Sequence, residues 1–164
     1  MGTEIERRFL VENGTWREQT TCSTVLLQGY LSVGPATVRV RMADNEAWLT
    51  IKGPTRGLSR AEFEYPIPAA DAHQMLYSLC SGNLIEKTRH LVPHHGDIWE
   101  VDEFHGLNQG LVLAELEMDN EAHVFVRPAW LGNEVTTDPR YTNSSLALNP
   151  RPGSSDAVES GKMQ

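Results

Sequence analysis

Charged residues in this sequence recur as same-sign pairs with one residue between their members. Glu4 and Glu6 form one such pair, and Arg39 and Arg41 form another. Paired carboxylates favour a hard divalent cation such as Mg²⁺ or Mn²⁺, whereas paired Arg or Lys side chains suit phosphate oxygens. If both kinds of pair face one space, they indicate the binding of a polyphosphate together with a divalent metal.

The complete set of these charges lies in seven short segments. The acids are Glu4, Glu6, Glu62, Glu64, Glu100, Asp102, Glu115 and Glu117. The bases are Arg8, Arg39, Arg41, Lys52, Arg60, Lys87 and Arg89, half of the 14 Lys and Arg residues in the chain. One interpretation is a solvated sheet face with cross-strand ion pairs. Like charges on one face repel, however, so a surface gains nothing from this arrangement, and we favour a shared ligand site.

Apolar and charged residues alternate with a period of two in these segments, which is typical of β-strands. The pattern predicts strands near 3–12, 24–33, 36–43, 46–53, 60–67, 84–92, 97–104 and 111–119.

A helix is predicted over residues 68–80, where Ala72, Leu76 and other apolar residues fall at helical spacing and Asp71 is the expected N-cap. A second helix is expected over about 120–126 and a short third one within 138–148.

Eight strands are sufficient to close a β-barrel, and closure removes exposed strand edges. Because side chains alternate between the two faces of a strand, one face collects the charges and the other collects apolar residues such as Ile5 and Phe63. We therefore expect an α+β protein that is mainly antiparallel β. Its core would be a closed eight-stranded β-barrel tunnel with a charged interior and helices packed outside.

Length and composition limit the alternatives. The chain has 164 residues, a net charge of −8 and a pI of about 5.2, which indicates one domain and argues against nucleic-acid binding. No apolar run approaches the ~18 residues of a membrane helix, so no membrane partner is expected. With no signal peptide and two cysteines, Cys22 and Cys80, a cytoplasmic protein with free thiols is expected. A homodimer is left open.

A series of motifs runs in order through residues 3–148. It begins with EIERRFLV and continues with VRVR, TIKG, LSRAEFEY, EKTRH, WEVDEFHG, LAELEM and EVTTDPRYTNSSLA. This series resembles the CYTH superfamily, the triphosphate tunnel metalloenzymes, whose usual opening is EIERKFLV. The ordered set is specific, although a Glu-x-Glu-x-Lys motif alone would be weak evidence. The chain departs from the family at one position, where Arg8 replaces the family Lys.

The resemblance implies an eight-stranded antiparallel tunnel that binds a triphosphate moiety with a divalent metal. Residues 1–149 would form this domain, and residues 150–164, which lack apolar periodicity, would form a disordered tail. Family members hydrolyse inorganic triphosphate or thiamine triphosphate, remove the RNA 5′ γ-phosphate or cyclise ATP. The chain looks most like the short bacterial branch, so a metal-dependent inorganic triphosphatase producing pyrophosphate and phosphate is expected. An adenylate cyclase, a thiamine triphosphatase and a non-catalytic polyphosphate-binding module remain alternatives.

Three overlapping roles are expected within the charged set. The catalytic residues would be Glu4, Glu6, Arg8, Lys52 and Lys87. The phosphate-binding residues would be Arg8, Arg39, Arg41, Lys52, Arg60, Lys87 and Arg89. The ligands of Mg²⁺ or Mn²⁺ would be Glu4, Glu6, Glu62, Glu64, Asp102, Glu115 and Glu117. In addition, Arg140, Tyr141 and Asn143 match the C-terminal family segment, where they would either close one tunnel mouth or serve only in packing.

Overall fold

The computed structural model describes residues 2–153. The strands are β1 (Gly2–Val11), β2 (Cys22–Ser32), β3 (Thr37–Ala43), β4 (Glu46–Lys52), β5 (Ser59–Ile67), β6 (Ser81–His94), β7 (Asp97–Phe104), β8 (Val112–Glu117) and β9 (Leu131–Glu134). The α-helices are α1 (Ala69–Ser78) and α2 (Asn143–Leu148). Short 3-10 turns cover Thr15–Gln19, Gly106–Asn108 and Pro139–Tyr141.

Strands β1 to β8 form a closed antiparallel barrel, which confirms the predicted architecture. Neighbouring strands follow the order β5–β4–β3–β2–β6–β7–β8–β1, and β1 also pairs with β5. In that closing seam, Gly2 lies opposite Glu62 and Ile5 lies opposite Ser59. The ninth strand, β9, pairs with the end of β1 and was not predicted. Its sequence, LGNE, contains Gly and Asn and shows no apolar alternation.

The apolar strand faces point outward, and the segments around the barrel bury part of them, whereas Phe63 and Tyr65 of β5 stay exposed. Phe9 of β1 and Trp99 of β7 pack with Trp16, which belongs to the first 3-10 turn. Elsewhere on the barrel wall, Val40 of β3 packs against α1 through Leu76. A charged interior requires this arrangement, because the apolar cores must then lie between the barrel and its covering segments.

One end of the barrel interior is apolar, and α2 fills it. Ile85, Phe104 and Leu113 share the inward faces of their strands with the charged residues farther along. These three side chains form a buried cluster with Leu146 and Ala147 of α2. The charged interior therefore occupies only part of the barrel, and α2 closes a mouth whereas α1 packs outside.

The helix predictions had mixed outcomes. Helix α1 lies within the predicted range, but the expected cap at Asp71 is wrong. Pro68 occupies the N-cap position without a side-chain cap bond, and Asp71 lies in the first turn. The helix predicted over 120–126 is also wrong, because these residues form turns and irregular backbone. The Asn120 side chain accepts a bond from the Ala122 N–H at 2.9 Å, and such a local bond competes with helix formation.

The segment predicted as a tail begins inside the described range and continues beyond it. The backbone N–H of Arg151 donates to Asn108 Oδ1 at 2.7 Å, whereas residues 154–164 lie outside the described residues. Within 2–153, none of the helices has both the length and the apolar character needed to cross a membrane.

Candidate functional site

The barrel interior contains a cavity of about 210 Å³. Every predicted phosphate-binding residue lines this cavity, and so does every predicted metal ligand except Asp102. The strands bring these side chains together because alternation directs the charged face of each strand inward. The remaining lining residues are Tyr30, Thr37, Glu100, Thr142, Asn143 and Ser144.

Six of the lining carboxylates form a group that we call the carboxylate cluster. Its members are Glu4, Glu6, Glu62, Glu100, Glu115 and Glu117. Strand pairing places Glu6 opposite Glu117 and Glu100 opposite Glu115. Like charges directly across a sheet repel each other and destabilise the folded state. Their concentration here therefore indicates a role in binding a ligand and not in holding the fold.

The pKa values within the carboxylate cluster reflect this crowding. Burial, reinforced by the nearby Glu115, raises the pKa of Glu6 to about 8. Partial burial also raises the pKa of Glu117, with Glu100 and Glu4 adding to the effect. Protons therefore bind more readily to Glu6 and Glu117 than to ordinary carboxylates, because burial and the neighbouring carboxylates disfavour their charged forms.

Glu4 and Glu115 are exceptions within the carboxylate cluster, because nearby bases lower their pKa values: Arg8, Arg89 and Lys87 act on Glu115, and two bases act on Glu4. Lys52 Nζ donates to Glu4 Oε1 at 2.9 Å, and Arg60 Nε donates to Oε2 at 2.7 Å. Burial by itself would raise the pKa of Glu4, but Lys52 and Arg60 outweigh it and lower the pKa to about 2. Lys52 also lies 3.3 Å from Glu62.

Arg8, which replaces the family Lys, is only 6% exposed and lies between two members of the carboxylate cluster. One terminal nitrogen donates to Glu6 Oε1 at 2.9 Å, and Nε donates to Glu115 Oε1 at 3.3 Å. The guanidinium thus bridges two carboxylates that the sequence predicts as metal ligands.

A second group, which we call the basic cluster, consists of Arg39, Arg41 and Lys87. Arg39 donates to the Thr50 hydroxyl at 3.1 Å and more weakly to Glu64 at 3.4 Å. Its Nε is buried and finds no acceptor among residues 2–153. An unsatisfied guanidinium N–H in the cavity wall is suited to an anionic oxygen from a ligand.

The other two members of the basic cluster have lowered pKa values. Burial lowers the pKa of Lys87 to about 8; Asp102 opposes this change, and Arg89 and Arg41 reinforce it. Burial lowers the pKa of Arg41 to about 9, with help from Arg39. Positive charge is therefore crowded in this cluster, as negative charge is in the carboxylate cluster.

Asp102 lies below the cavity wall and is fully buried. One of its oxygens accepts from Lys87 Nζ at 2.7 Å, and Arg89 donates to both oxygens at 2.8 Å. Asp102 thus supports two lining bases from behind, a geometry different from that of the other predicted metal ligands.

Two contributors to the site were missed because they lie on the uncharged strand β2. Gln28 and Tyr30 are both buried, and the Gln28 side chain contacts Arg41 and Asn143. The only available sequence signal was a Gln at an inward position of an otherwise apolar strand. Asn143, which the sequence analysis left between two roles, lines the cavity and accepts from Lys87 Nζ at 2.9 Å.

The donor chemistry of the carboxylate cluster fits a hard divalent cation. Within residues 2–153, no three His, Cys, Asp or Glu side chains form a ready-made metal site, and bases such as Arg8 and Lys52 contact the carboxylates. Burial, together with neighbouring carboxylates, raises the pKa values of Glu6, Glu100 and Glu117, so additional positive charge beside them would be favourable. A divalent cation would supply it through oxygen ligands.

Comparison with known families matches the CYTH domain over residues 2–147. Among curated proteins, the chain is 44% identical to an inorganic triphosphatase of Acetivibrio thermocellus over 151 residues, covering 92% of this chain and 96% of that protein. It is 39% identical to an inorganic triphosphatase of Nitrosomonas europaea over 153 residues, covering 90% and 98%.

A solved crystal structure shares the barrel architecture. It is that of an inorganic triphosphatase, and it superposes with a TM-score of 0.66 at 35% identity, covering 93% of this chain and 99% of that chain. The agreement in sequence and structure extends over nearly the whole length of both proteins.

Proposed function

The chain belongs to the CYTH domain family, and on that premise we propose that it is an inorganic triphosphatase. It hydrolyses triphosphate to pyrophosphate and phosphate inside the barrel. The observation that carries this proposal is the charged cavity, which combines the basic cluster with the carboxylate cluster. Phosphate oxygens and a divalent metal need these two environments side by side.

Cavity size supports a small inorganic substrate. The volume of about 210 Å³ lies below the roughly 300–1,000 Å³ of sites for drug-sized ligands. Its lining is dominated by charged and polar side chains, and Tyr30 is its one aromatic residue. A nucleobase or thiazole ring would find little apolar surface here, which disfavours the cyclase and thiamine triphosphatase alternatives.

The bases bind and orient the substrate. Arg39, Arg41 and Lys87 would hold phosphate oxygens at the end nearest α2. The bases that line the rest of the cavity would hold the remaining oxygens; they are Arg8, Lys52, Arg60 and Arg89. Fixed positive groups in a partly buried site also stabilise the charge that moves to the leaving oxygen.

The carboxylate cluster would hold the metal, for which we propose Mg²⁺ or Mn²⁺. When bound, the ion neutralises phosphate charge and polarises the phosphorus centre. Glu6, Glu115 and Glu117 are the proposed ligands, with Glu62 and Glu4 beside them. Glu64 would assist from the Arg39 side, and we assign Asp102 to positioning Lys87 and Arg89.

The reaction needs one water and one proton acceptor. The water oxygen attacks a terminal phosphorus, the bridging P–O bond breaks, and pyrophosphate leaves with the bridging oxygen. A cluster carboxylate takes the proton from the water. The acceptor would be a member of the carboxylate cluster that is not itself a ligand of the metal.

The remaining proposals are narrower. Residues 1–149 would constitute the catalytic domain. The structure has two free cysteines, Cys22 and Cys80, in keeping with a cytoplasmic setting. Triphosphate is the proposed partner, with no role for nucleic acid or membranes.

The direct test is phosphate release from triphosphate, pyrophosphate, ATP and thiamine triphosphate, each with Mg²⁺, Mn²⁺ or EDTA. We expect metal-dependent release from triphosphate at the highest kcat/KM, with pyrophosphate accumulating in equal amount. A Glu46→Gln variant, altered at the exposed first residue of β4, serves as a matched control and should behave like wild type. Cyclic AMP formed from ATP, or faster turnover of thiamine triphosphate, would replace the proposal with another family activity.

A further inference from the structure

Gln28 occupies an unusual place in the charged barrel. It is fully buried at an inward position of β2, the strand that contributes no charge to the cavity. Its Oε1 accepts from Arg41 Nε at 2.8 Å. Its Nε2 donates to the Tyr30 hydroxyl at 3.1 Å and to Asn143 Oδ1 at 3.3 Å. All the polar atoms of the amide therefore have partners.

The amide partner distinguishes Arg41 from most other cavity bases. Lys52 and Arg60 bind Glu4, and Arg8 binds Glu6 at 2.9 Å. Arg41, by contrast, makes its side-chain hydrogen bond to the uncharged Gln28. Within the described residues, no carboxylate lies within ion-pair distance of Arg41.

We propose that Gln28 is a positioning residue that holds Arg41 toward the substrate without neutralising its charge. This inference rests on the proposed triphosphatase function and deepens it. A hydrogen bond to a neutral amide fixes the direction of the guanidinium, yet leaves its full charge available to phosphate oxygens. A carboxylate at position 28 would fix the same direction but would compete with the substrate for the charge.

The arrangement has a recognisable energetic signature. Burial beside Arg39 lowers the pKa of Arg41 to about 9, so keeping Arg41 charged in the unliganded protein costs free energy. Binding of a polyanion relieves that cost, and the relief contributes to substrate affinity. An acid at position 28 would already stabilise the charged Arg41 in the unliganded protein, so this contribution to substrate affinity would be lost.

Two substitutions separate this role from simple packing. Both lose the Nε2 donor to Tyr30 and Asn143. Gln28→Glu keeps the shape and the acceptor for Arg41 Nε but adds a charge, whereas Gln28→Met keeps the volume and also loses the bond to Arg41. Gln74→Glu, on the exposed face of α1, makes the same charge change away from the cavity. For each variant we would measure kcat and KM for triphosphate with Mg²⁺, the affinity for triphosphate in EDTA, and Tm.

We expect Gln28→Glu to raise KM and the metal-free dissociation constant by about tenfold or more, the effect of losing a charge-assisted contact. Its kcat should change by no more than a few-fold. Gln28→Met should raise KM by only a few-fold, and Gln74→Glu should match wild type. This order is informative because packing alone predicts the reverse, with the shape-preserving Glu variant milder than Met.

Each outcome bears on a separate claim. If Gln28→Glu binds triphosphate as wild type does, or is milder than Gln28→Met, the positioning role is wrong. If Gln28→Glu fails to fold, Gln28→Met decides: a raised KM with retained kcat supports the role, and a wild-type KM overturns it. If wild type itself neither binds nor hydrolyses triphosphate, the proposed function fails whatever the variants do.

Discussion

The carboxylate cluster and the basic cluster face one cavity, yet the fold treats their charges differently. Several acids of the carboxylate cluster have close cationic partners, such as Arg8 beside Glu6 at 2.9 Å. In the basic cluster, the partners of Arg41 and Arg39 are largely neutral groups, namely the Gln28 amide and the Thr50 hydroxyl. The difference indicates that a ligand must displace internal cations to reach the acids, whereas Arg41 can bind an anion without first leaving a carboxylate; Lys87 differs from Arg41 because it is paired with Asp102.

The largest effect is expected from Glu117→Gln. Glu117 is exposed, and its pKa is raised by partial burial and neighbouring carboxylates, so an amide there should leave Tm unchanged or slightly higher. Glu117 is one of the proposed metal ligands, so its substitution should lower metal-dependent kcat/KM for triphosphate by about 100-fold or more. Phosphate release and a thermal melt test both points, with Glu46→Gln as the control. Near-normal turnover would remove Glu117 from the metal site.

The next largest effects separate two members of the basic cluster. Arg41→Ala and Lys87→Ala should each weaken triphosphate binding by about 1.5–3 kcal/mol. Their effects on stability should differ, because Lys87 is paired with buried Asp102 at 2.7 Å. Removing that partner should lower the free energy of unfolding by about 3 kcal/mol, whereas Arg41→Ala should leave it level or raise it.

Calorimetry with triphosphate and urea unfolding of the two variants provide the measurement. Equal destabilisation by both substitutions would mean that Arg41 is a structural partner after all. The conclusion that the fold treats Arg41 differently from the acids of the carboxylate cluster would then be wrong.

A smaller effect is expected from Arg8→Lys. The guanidinium bridges Glu6 and Glu115, and a Lys ammonium is more compact and cannot make the same forked contact. We expect kcat with triphosphate and saturating Mg²⁺ or Mn²⁺ to rise about tenfold, equal to about 1.4 kcal/mol of barrier. Half-saturation should also need less metal. Equal kcat values for both versions would show that charge alone matters at position 8.

The smallest effect concerns stability and pH in metal-free protein. The pKa of Glu6 is about 8 in the fold, above its ordinary value of 4.5. Between those pH values the folded state holds a proton that the unfolded state has lost, so stability falls as pH rises through this window. Glu6→Gln should therefore melt several degrees above wild type at pH 8.5 and level with it near pH 4.5. A gap that does not change with pH would contradict the assignment.

The charged face could be predicted from the sequence because side chains two residues apart on a strand point to the same side of the sheet. Glu4 and Glu6 point into one space for the same reason that Ile5 does not. The sequence could not show which charged residues are the most buried, since the burial of Asp102 depends on neighbouring strands and not on its own segment. It also missed Gln28 and the Leu146 contact with Phe104, because neutral or apolar residues inside a charged barrel have no distinctive spacing. The helix expected over 120–126 does not form, and the side chain of Asn120 instead accepts a local hydrogen bond from the Ala122 N–H.

The closing seam of the barrel has a consequence for how the chain folds. β1 precedes the other strands of the barrel in the chain, and its partners lie far along the sequence: Glu4 and Arg60 are 56 positions apart, and Arg8 and Glu115 are 107 positions apart. Contacts of such separation form slowly, since the loop entropy must be overcome before the pairing is gained. β1 can pair with β5 earlier, but the ring closes only after β8 has been synthesised, and the carboxylates of β1 and β8 meet only then. Nascent chains halted before residue 112 should carry neither a closed barrel nor a metal site.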